Sequence, residues 1–423
     1  MGDGSWLGEG WSRWTRRGVL ATAAGAAAVG IRGADGASAR LAWRGSQATP
    51  VAALDPGAIV AIARDAMAPG GLRAVLLRMT VGDEVLVETA LGASMTGVPA
   101  TPDMRVRNGA VAIMYVATLL LRFVDRGVVG LDDPIAPWLP DLPDADRATF
   151  RMLANMTAGY PDYVPNPDFA AAFYADPFRA WREDELLAFG LAQPRRFAPG
   201  ENWDYSHTNY VILGRALAAV GGAPLADLLQ REVLDPLGLD QTVSSVSPAI
   251  PAPALHAFSG ERRGALGIPA GTPFLEESSF WNPSWTLPHG AIQTSTVRDM
   301  AATVRAVGEG TLISPASHRA QVEPRLLGFG APLAGCPACH TLDEQYSYGL
   351  GVVIKGSWLL QNPKFGGYAA VAGYLPARRL AVALATTFDE AAFDDRGDYR
   401  ANGSMDLFLA LAGALAPEDP PPV

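Results

Sequence analysis

Residues 107–127 read Arg107-Asn108-Gly109-Ala110-Val111-Ala112-Ile113-Met114-Tyr115-Val116-Ala117-Thr118-Leu119-Leu120-Leu121-Arg122-Phe123-Val124-Asp125-Arg126-Gly127. From Ala110 to Arg126 the run is apolar on nearly every side of a 3.6-residue repeat, and it stops at a glycine. It predicts a helix buried in the middle of the fold rather than on its surface. Such a helix needs cover on several sides, and the flanking sequence supplies it. Residues 55–68 have helical spacing, opened by Asp55-Pro56 and closed by Pro69-Gly70-Gly71. Runs 72–79 and 84–91 are β-rich and joined by a turn at Gly82-Asp83. Strand-like runs return at 348–355, 368–374 and 380–387, followed by a helix over 405–415. Helices are predicted at 180–189, 209–220, 226–233 and 297–307, with loops and short helices over 138–180. The expected fold is α/β (α+β): an antiparallel sheet built from both chain ends, flanked by helices, with a helical insertion over about 106–255.

The chain has 423 residues, 49% hydrophobic and 18% charged, with mean hydropathy +0.12. That composition fits a compact globular protein and excludes a disordered or collagen-like one. A net charge of −10 without a basic block argues against nucleic acid as partner. Two cysteines exclude a disulfide scaffold. Lys355 and Lys364 are the only lysines, so any lysine-dependent mechanism has two candidates.

The N-terminus reads Thr15-Arg16-Arg17-Gly18-Val19-Leu20, then an Ala/Gly-rich apolar run, then Ala37-Ser38-Ala39. Twin arginines, a short apolar run and an A-x-A site make a Tat-type export signal over 1–39. The mature protein is expected to start near Arg40 and to be periplasmic, in the cell envelope or extracellular. The apolar run is too short and Gly-rich for a permanent membrane span. Residues 40–416 read as one domain and 417–423 as a disordered, proline-rich tail.

Several strings occur in a recognisable order. They are Pro102-Asp103-Met104-Arg105-Val106-Arg107; Gly127 with Leu131-Asp132-Asp133-Pro134; Thr149-Phe150-Arg151-Met152-Leu153 with Thr157-Ala158-Gly159-Tyr160-Pro161-Asp162-Tyr163; Pro199-Gly200 with Tyr205-Ser206-His207-Thr208-Asn209-Tyr210; Gly290 to Asp299; and Tyr374-Leu375-Pro376. Together they resemble the serine β-lactamase and penicillin-binding-protein family, in its class C, D,D-peptidase and esterase branch, over about residues 50–415. The resemblance implies acyl transfer. A serine at the start of the buried helix attacks a carbonyl, and a lysine one turn later in S-x-x-K handles its proton. The tyrosine of Y-x-N assists, and a K-T-G or H-x-G strand lines the far wall.

Counting back 21 residues from Leu131, as the resemblance directs, places the nucleophile at Ala110 and the lysine at Ile113. Val352 and Gln361 stand three residues before the two lysines, so S-x-x-K occurs nowhere in the chain. Tyr205 fits Y-x-N, but His207 takes the asparagine's place. The third motif falls near Asn362-Pro363-Lys364, with Lys364 either in the cleft or on a surface turn, the second being favoured. Alanine has no lone pair for attack, and isoleucine cannot hold a proton. The pair is coherent, because a lysine in a dry cleft costs several kcal/mol unless function requires it. The leading expectation is therefore a non-catalytic binding or scaffolding homologue. Its partner would be a cell-wall peptide or an envelope protein, and the vestigial cleft would comprise Ala110, Ile113, Tyr205, His207, Asn362 and Lys364. The alternative is an esterase, D,D-carboxypeptidase or β-lactamase-like hydrolase using Tyr205, His207 or Ser206.

Trp281, Trp285 and Phe280 could line a pocket or pack. Cys336-Pro337-Ala338-Cys339-His340 matches the c-type haem attachment string. A local disulfide between Cys336 and Cys339 is the simpler account, with a haem protein the minor alternative. A zinc site would need two more ligands, and His340 offers one nearby, so no metal is expected.

Overall fold

The structure, a computed structural model, describes residues 55–423 apart from positions 246 and 324. The expected export signal lies outside these residues. Helix α1 (Pro56–Met67) leads into strands β1 (Leu72–Val81), β2 (Glu84–Met95) and β3 (Val98–Pro99). After the helical region come β4 (Ser347–Tyr348), β5 (Val353–Lys355), β6 (Trp358–Gln361), β7 (Lys364–Phe365), β8 (Tyr368–Leu375) and β9 (Leu380–Phe388). These make one sheet in the order β3-β2-β1-β9-β8-β6-β5-β4, with β7 paired to β8, and every pairing is antiparallel. The N-terminal hairpin joins the C-terminal strands through β1 and β9, as both-ends pairing requires.

Strands β8 and β9 are buried on both faces, which is why they read as unbroken apolar runs instead of alternating ones. Helix α2 (Val111–Asp125), α3 (His207–Gly221), α4 (Val297–Glu309) and α5 (Gly403–Leu415) complete the main framework. Helices α1 and α5 pack together against β1, β8 and β9, and α4 packs against the same strands and also touches α2. Nearly all of α2 is buried. Tyr115 ties it to α4 through a 2.8 Å hydroxyl contact with Thr303.

Two details depart from expectation. The strand expected over 348–355 is broken into β4 and β5, because Gly351 takes φ +73° there and presses on α2. A Cβ at Gly351 would meet Ala117 Cβ at 2.6 Å and the Ile113 carbonyl oxygen at 3.0 Å. The tail over 417–423 is also not a disordered appendage. Trp358 Nε1 donates to the Asp419 carbonyl at 3.0 Å, Arg378 pairs with Glu418, and Pro422 lies against Gly356. The tail turns at once after the last helix, with the Asp419 amide donating to the Ala416 carbonyl at 3.0 Å, and so docks against the sheet. Among the described residues no single helix is long and apolar enough to cross a membrane.

Candidate functional site

The site forms where the start of α2 meets the sheet edge. Ala110 is the N-cap and offers no side-chain hydrogen bond. Ile113 is 1% exposed, in the main apolar core. Asn108, fully buried, donates to Gln293 Oε1 at 3.4 Å. Gly109 has φ +46°, and a Cβ there would meet Pro363 Cβ at 2.6 Å and Phe365 Cε1 at 2.7 Å. Apolar atoms of Pro363 and Phe365 thus pack against the residue just before the N-cap. Buried Arg107 donates to the carbonyls of Pro248 and Ser279 and holds those loops in place; burial lowers its pKa to about 10.

The second wall comes from 156–163 and 202–207. Ser206 caps α3 and His207 is its first residue, so Tyr205 and His207 sit at a helix start instead of wholly within a loop. Their rings meet edge-on at 5.4 Å. His207 Nδ1 is 3.0 Å from Asp162 Oδ2, and the amides of His207 and Val164 donate to Asp162 Oδ1 at 3.2 and 3.1 Å. Asp162 holds the imidazole in place. Burial first, then the neighbouring Tyr348, Tyr346 and Asp162, pushes the Tyr205 phenol well above its ordinary range. A phenol so placed stays protonated and is a poor base. Ser206 Oγ is fully buried, and its amide faces Met156 Sδ at 3.5 Å, so it is out of reach of a substrate.

The third wall corrects the placement of Lys364. Strand β6 ends at Gln361, and proline at 363 interrupts the ladder before β7. Successive residues of β7 face opposite ways. Phe365 turns toward Gly109 and Trp285, and Lys364 lies 4.2 Å over the Tyr399 ring on the other side. Lys364 is neither in the cleft nor on a surface turn. Burial lowers its pKa, and the carboxylates of Glu261, Asp398 and Asp406 work against that shift. Asn362 is partly buried at the break. The buried polar side chain on this wall is Gln361, whose Nε2 donates to the Gly351 carbonyl at 3.0 Å and to the Tyr348 hydroxyl at 3.3 Å. Gln361 stands one residue before the expected string, and a shift of one in the count would have found it. The Asp162–His207 contact spans 45 residues and left no local signal.

Trp281 and Trp285 are buried and packed, and the space they line is small. With Phe173, Phe365 and Arg107 they enclose a cavity of about 10 Å³, at most one water's space. Phe280 is exposed at 42%. Cys336 and Cys339 are joined in a disulfide. Haem attachment through thioethers needs both sulfurs, so the loop as folded does not fit that group.

The sequence pattern of the Beta-lactamase family matches residues 59–404. Penicillin-binding protein 4* of Bacillus subtilis (strain 168) is 30% identical over 130 residues, 30% of this chain and 28% of that protein. Esterase EstB of Burkholderia gladioli is 30% identical over 171 residues, 37% of this chain and 43% of the esterase. The matched stretches thus span less than half the length of these curated relatives. Among solved structures, D-amino acid amidase of Ochrobactrum anthropi SV3, complexed with L-phenylalanine amide, superposes with TM-score 0.70 at 22% identity. That superposition covers 86% of this chain and 98% of the amidase. A large antiparallel sheet with helices around a buried central helix is the serine β-lactamase and penicillin-binding-protein fold. The chain belongs to the beta-lactamase family.

Two measurements check this geometry. Gly109→Ala is expected to destabilise the protein by about 1–3 kcal/mol in urea unfolding, since Pro363 is rigid and buried; a neutral result would mean that the sheet edge does not rest on α2. The second concerns Asp204, 6% exposed, whose carboxyl is pushed up to about 7 by burial and by the charge of Asp162. Between about pH 4 and 7 the folded state keeps a proton that the unfolded chain has released, so this group costs stability as pH rises. Asp204→Asn should therefore gain on the order of 1–3 kcal/mol at pH 8 and little at pH 4. Thermal melts across that range read the difference.

Proposed function

We propose that this protein is an exported, non-catalytic member of the family that holds a cell-wall peptide or another envelope partner and does not acylate on serine. The observation that carries this reading is the start of α2. At the position the resemblance gives to the nucleophile stands the partly buried Ala110, one turn before a buried Ile113 and next to Gly109, which packs against Pro363 and Phe365. Function follows the site and not the fold. Nucleophilic catalysis needs a lone pair with a proton acceptor in reach, and neither residue supplies one. Tyr205 is held as a phenol, and Ser206 is sealed. Export rests on the twin-arginine leader, and an envelope partner rests on the relatives being named penicillin-binding proteins.

Purified protein treated with a fluorescent penicillin and with a fluorophosphonate is expected to stay unlabelled by gel fluorescence and intact mass. An adduct on any serine overturns the reading. Turnover of a chromogenic ester that disappears in Tyr205→Phe would replace it with a hydrolase. Ala110→Ser combined with Ile113→Lys should lower stability by an amount on the order of 1–4 kcal/mol, because it buries a charge in an apolar core. A double variant as stable as the parent would show position 113 to be wet.

A further inference from the structure

The cysteine pair sits in a setting that a clamp does not require. The loop around Ala331–Thr341 folds over residues 202–204. Asn202 exchanges two hydrogen bonds with Ala331, at 3.1 and 2.9 Å, and Arg196 donates to the Gly335 carbonyl at 3.0 Å. The Trp203 and His340 rings meet edge-on at 5.3 Å. These contacts hold the loop without help from sulfur. The Cys336–Cys339 disulfide closes a loop of sequence separation 3, the kind of closure that restricts the unfolded chain least.

Beneath that disulfide lies Asp204. One of its carboxylate oxygens and both sulfurs lie within 4.8 Å of one another. Its nearest cation, Arg196 Nε, is 4.0 Å away, too far for a strong bond. Burying a carboxyl against a disulfide costs stability and contributes nothing to a structural crosslink. The same placement suits sulfur chemistry, in which a thiolate must gain or lose a proton as the bond opens or closes. Each cysteine is 5% exposed, under a thin cover: exposed Gly335 and Pro337 flank the pair, and Leu333, whose carbonyl accepts the Cys336 amide, is 39% exposed beside it.

We propose that Cys336–Cys339 is a thiol–disulfide exchange site, with Asp204 as its proton donor and acceptor and an external dithiol as its reductant. A thiolate of the dithiol attacks one cysteine sulfur. The Cys336–Cys339 bond breaks, a mixed disulfide forms, and the departing cysteine sulfur takes the proton of the Asp204 carboxyl. The second thiol of the dithiol then gives up its proton to water and attacks the dithiol's own sulfur in the mixed disulfide; the other cysteine leaves as a thiolate and is protonated from water, as is the Asp204 carboxylate. Two electrons have passed, the dithiol has become a disulfide, and the protein carries two thiols. In the reverse direction ionised Asp204 takes the proton of the attacking cysteine. Asp204 belongs to the 202–207 wall of the family cleft, but the exchange uses neither Ala110 nor Ile113 and holds whether or not that cleft is inert.

The test uses the full chain, folded, with dithiothreitol as reductant and a maleimide–polyethylene glycol to count thiols. Both cysteines should become labelled at neutral pH without denaturant, while circular dichroism keeps its native form. Asp204→Asn, which is expected to fold stably, should be reduced roughly tenfold or more slowly at about pH 6. The ratio of the parent rate to the variant rate should fall toward one above about pH 8, as Asp204, with its pKa near 7, ionises in the parent. A merely structural aspartate would not produce that pH profile. A disulfide that resists dithiothreitol until the protein unfolds overturns the proposal. So does a parent-to-variant ratio that does not change with pH.

Discussion

Helix α2 buries nearly every residue it has, and the rest of the molecule is arranged to cover it. A surface helix needs one apolar stripe; this one needs partners all round. Helices α3 and α4, the shorter helices near residues 225–234 and 315–322, and the glycine loop at 349–351 supply them. Because Gly351 presses on α2 where any side chain would collide, helix and sheet edge are locked in one register. The same close approach recurs at Gly109, where Pro363 and Phe365 pack against the residue before the N-cap.

That constraint shapes the site. The walls expected of the family are present: the 156–163 loop, the Tyr205–His207 segment and the β6–β8 side of the sheet. Between them, Gly109 packs against Pro363 and Phe365, and Ile113 fills the position one turn into the helix. Asp162 and His207 form a well-held polar pair, but it faces a phenol kept protonated by its surroundings. Lys364, one of only two lysines in the chain, is committed to a carboxylate and tyrosine cluster on the other side of its strand.

Much of the fold could be read directly from the residues. The all-round apolar run at 110–126 identified the central helix, and the buried runs near 368 and 380 identified the strands that meet β1. Short strands were harder. Trp358–Gln361 is only 4 residues long, and a helix or loop of that length has the same apolar content. The tail misled because proline and charge usually signal disorder, whereas its docking depends on an indole and a guanidinium distant in sequence. In the site, Ala110, Ile113 and Tyr205 were visible as letters at counted positions. The side of the strand that Lys364 occupies was not, because a shift of one residue reverses the facing of every side chain. Asp204 escaped notice for a different reason: its partners are sulfurs well over a hundred residues away.

The contact at Gly109 also limits how the helix start can be redesigned. With φ +46° and Pro363 Cβ 2.6 Å from where a Cβ would lie, position 109 has no room for a side chain. Changes at 110 or 113 are therefore open to an engineer in a way that a change at 109 is not, because a side chain there would push Pro363 and Phe365 off the helix.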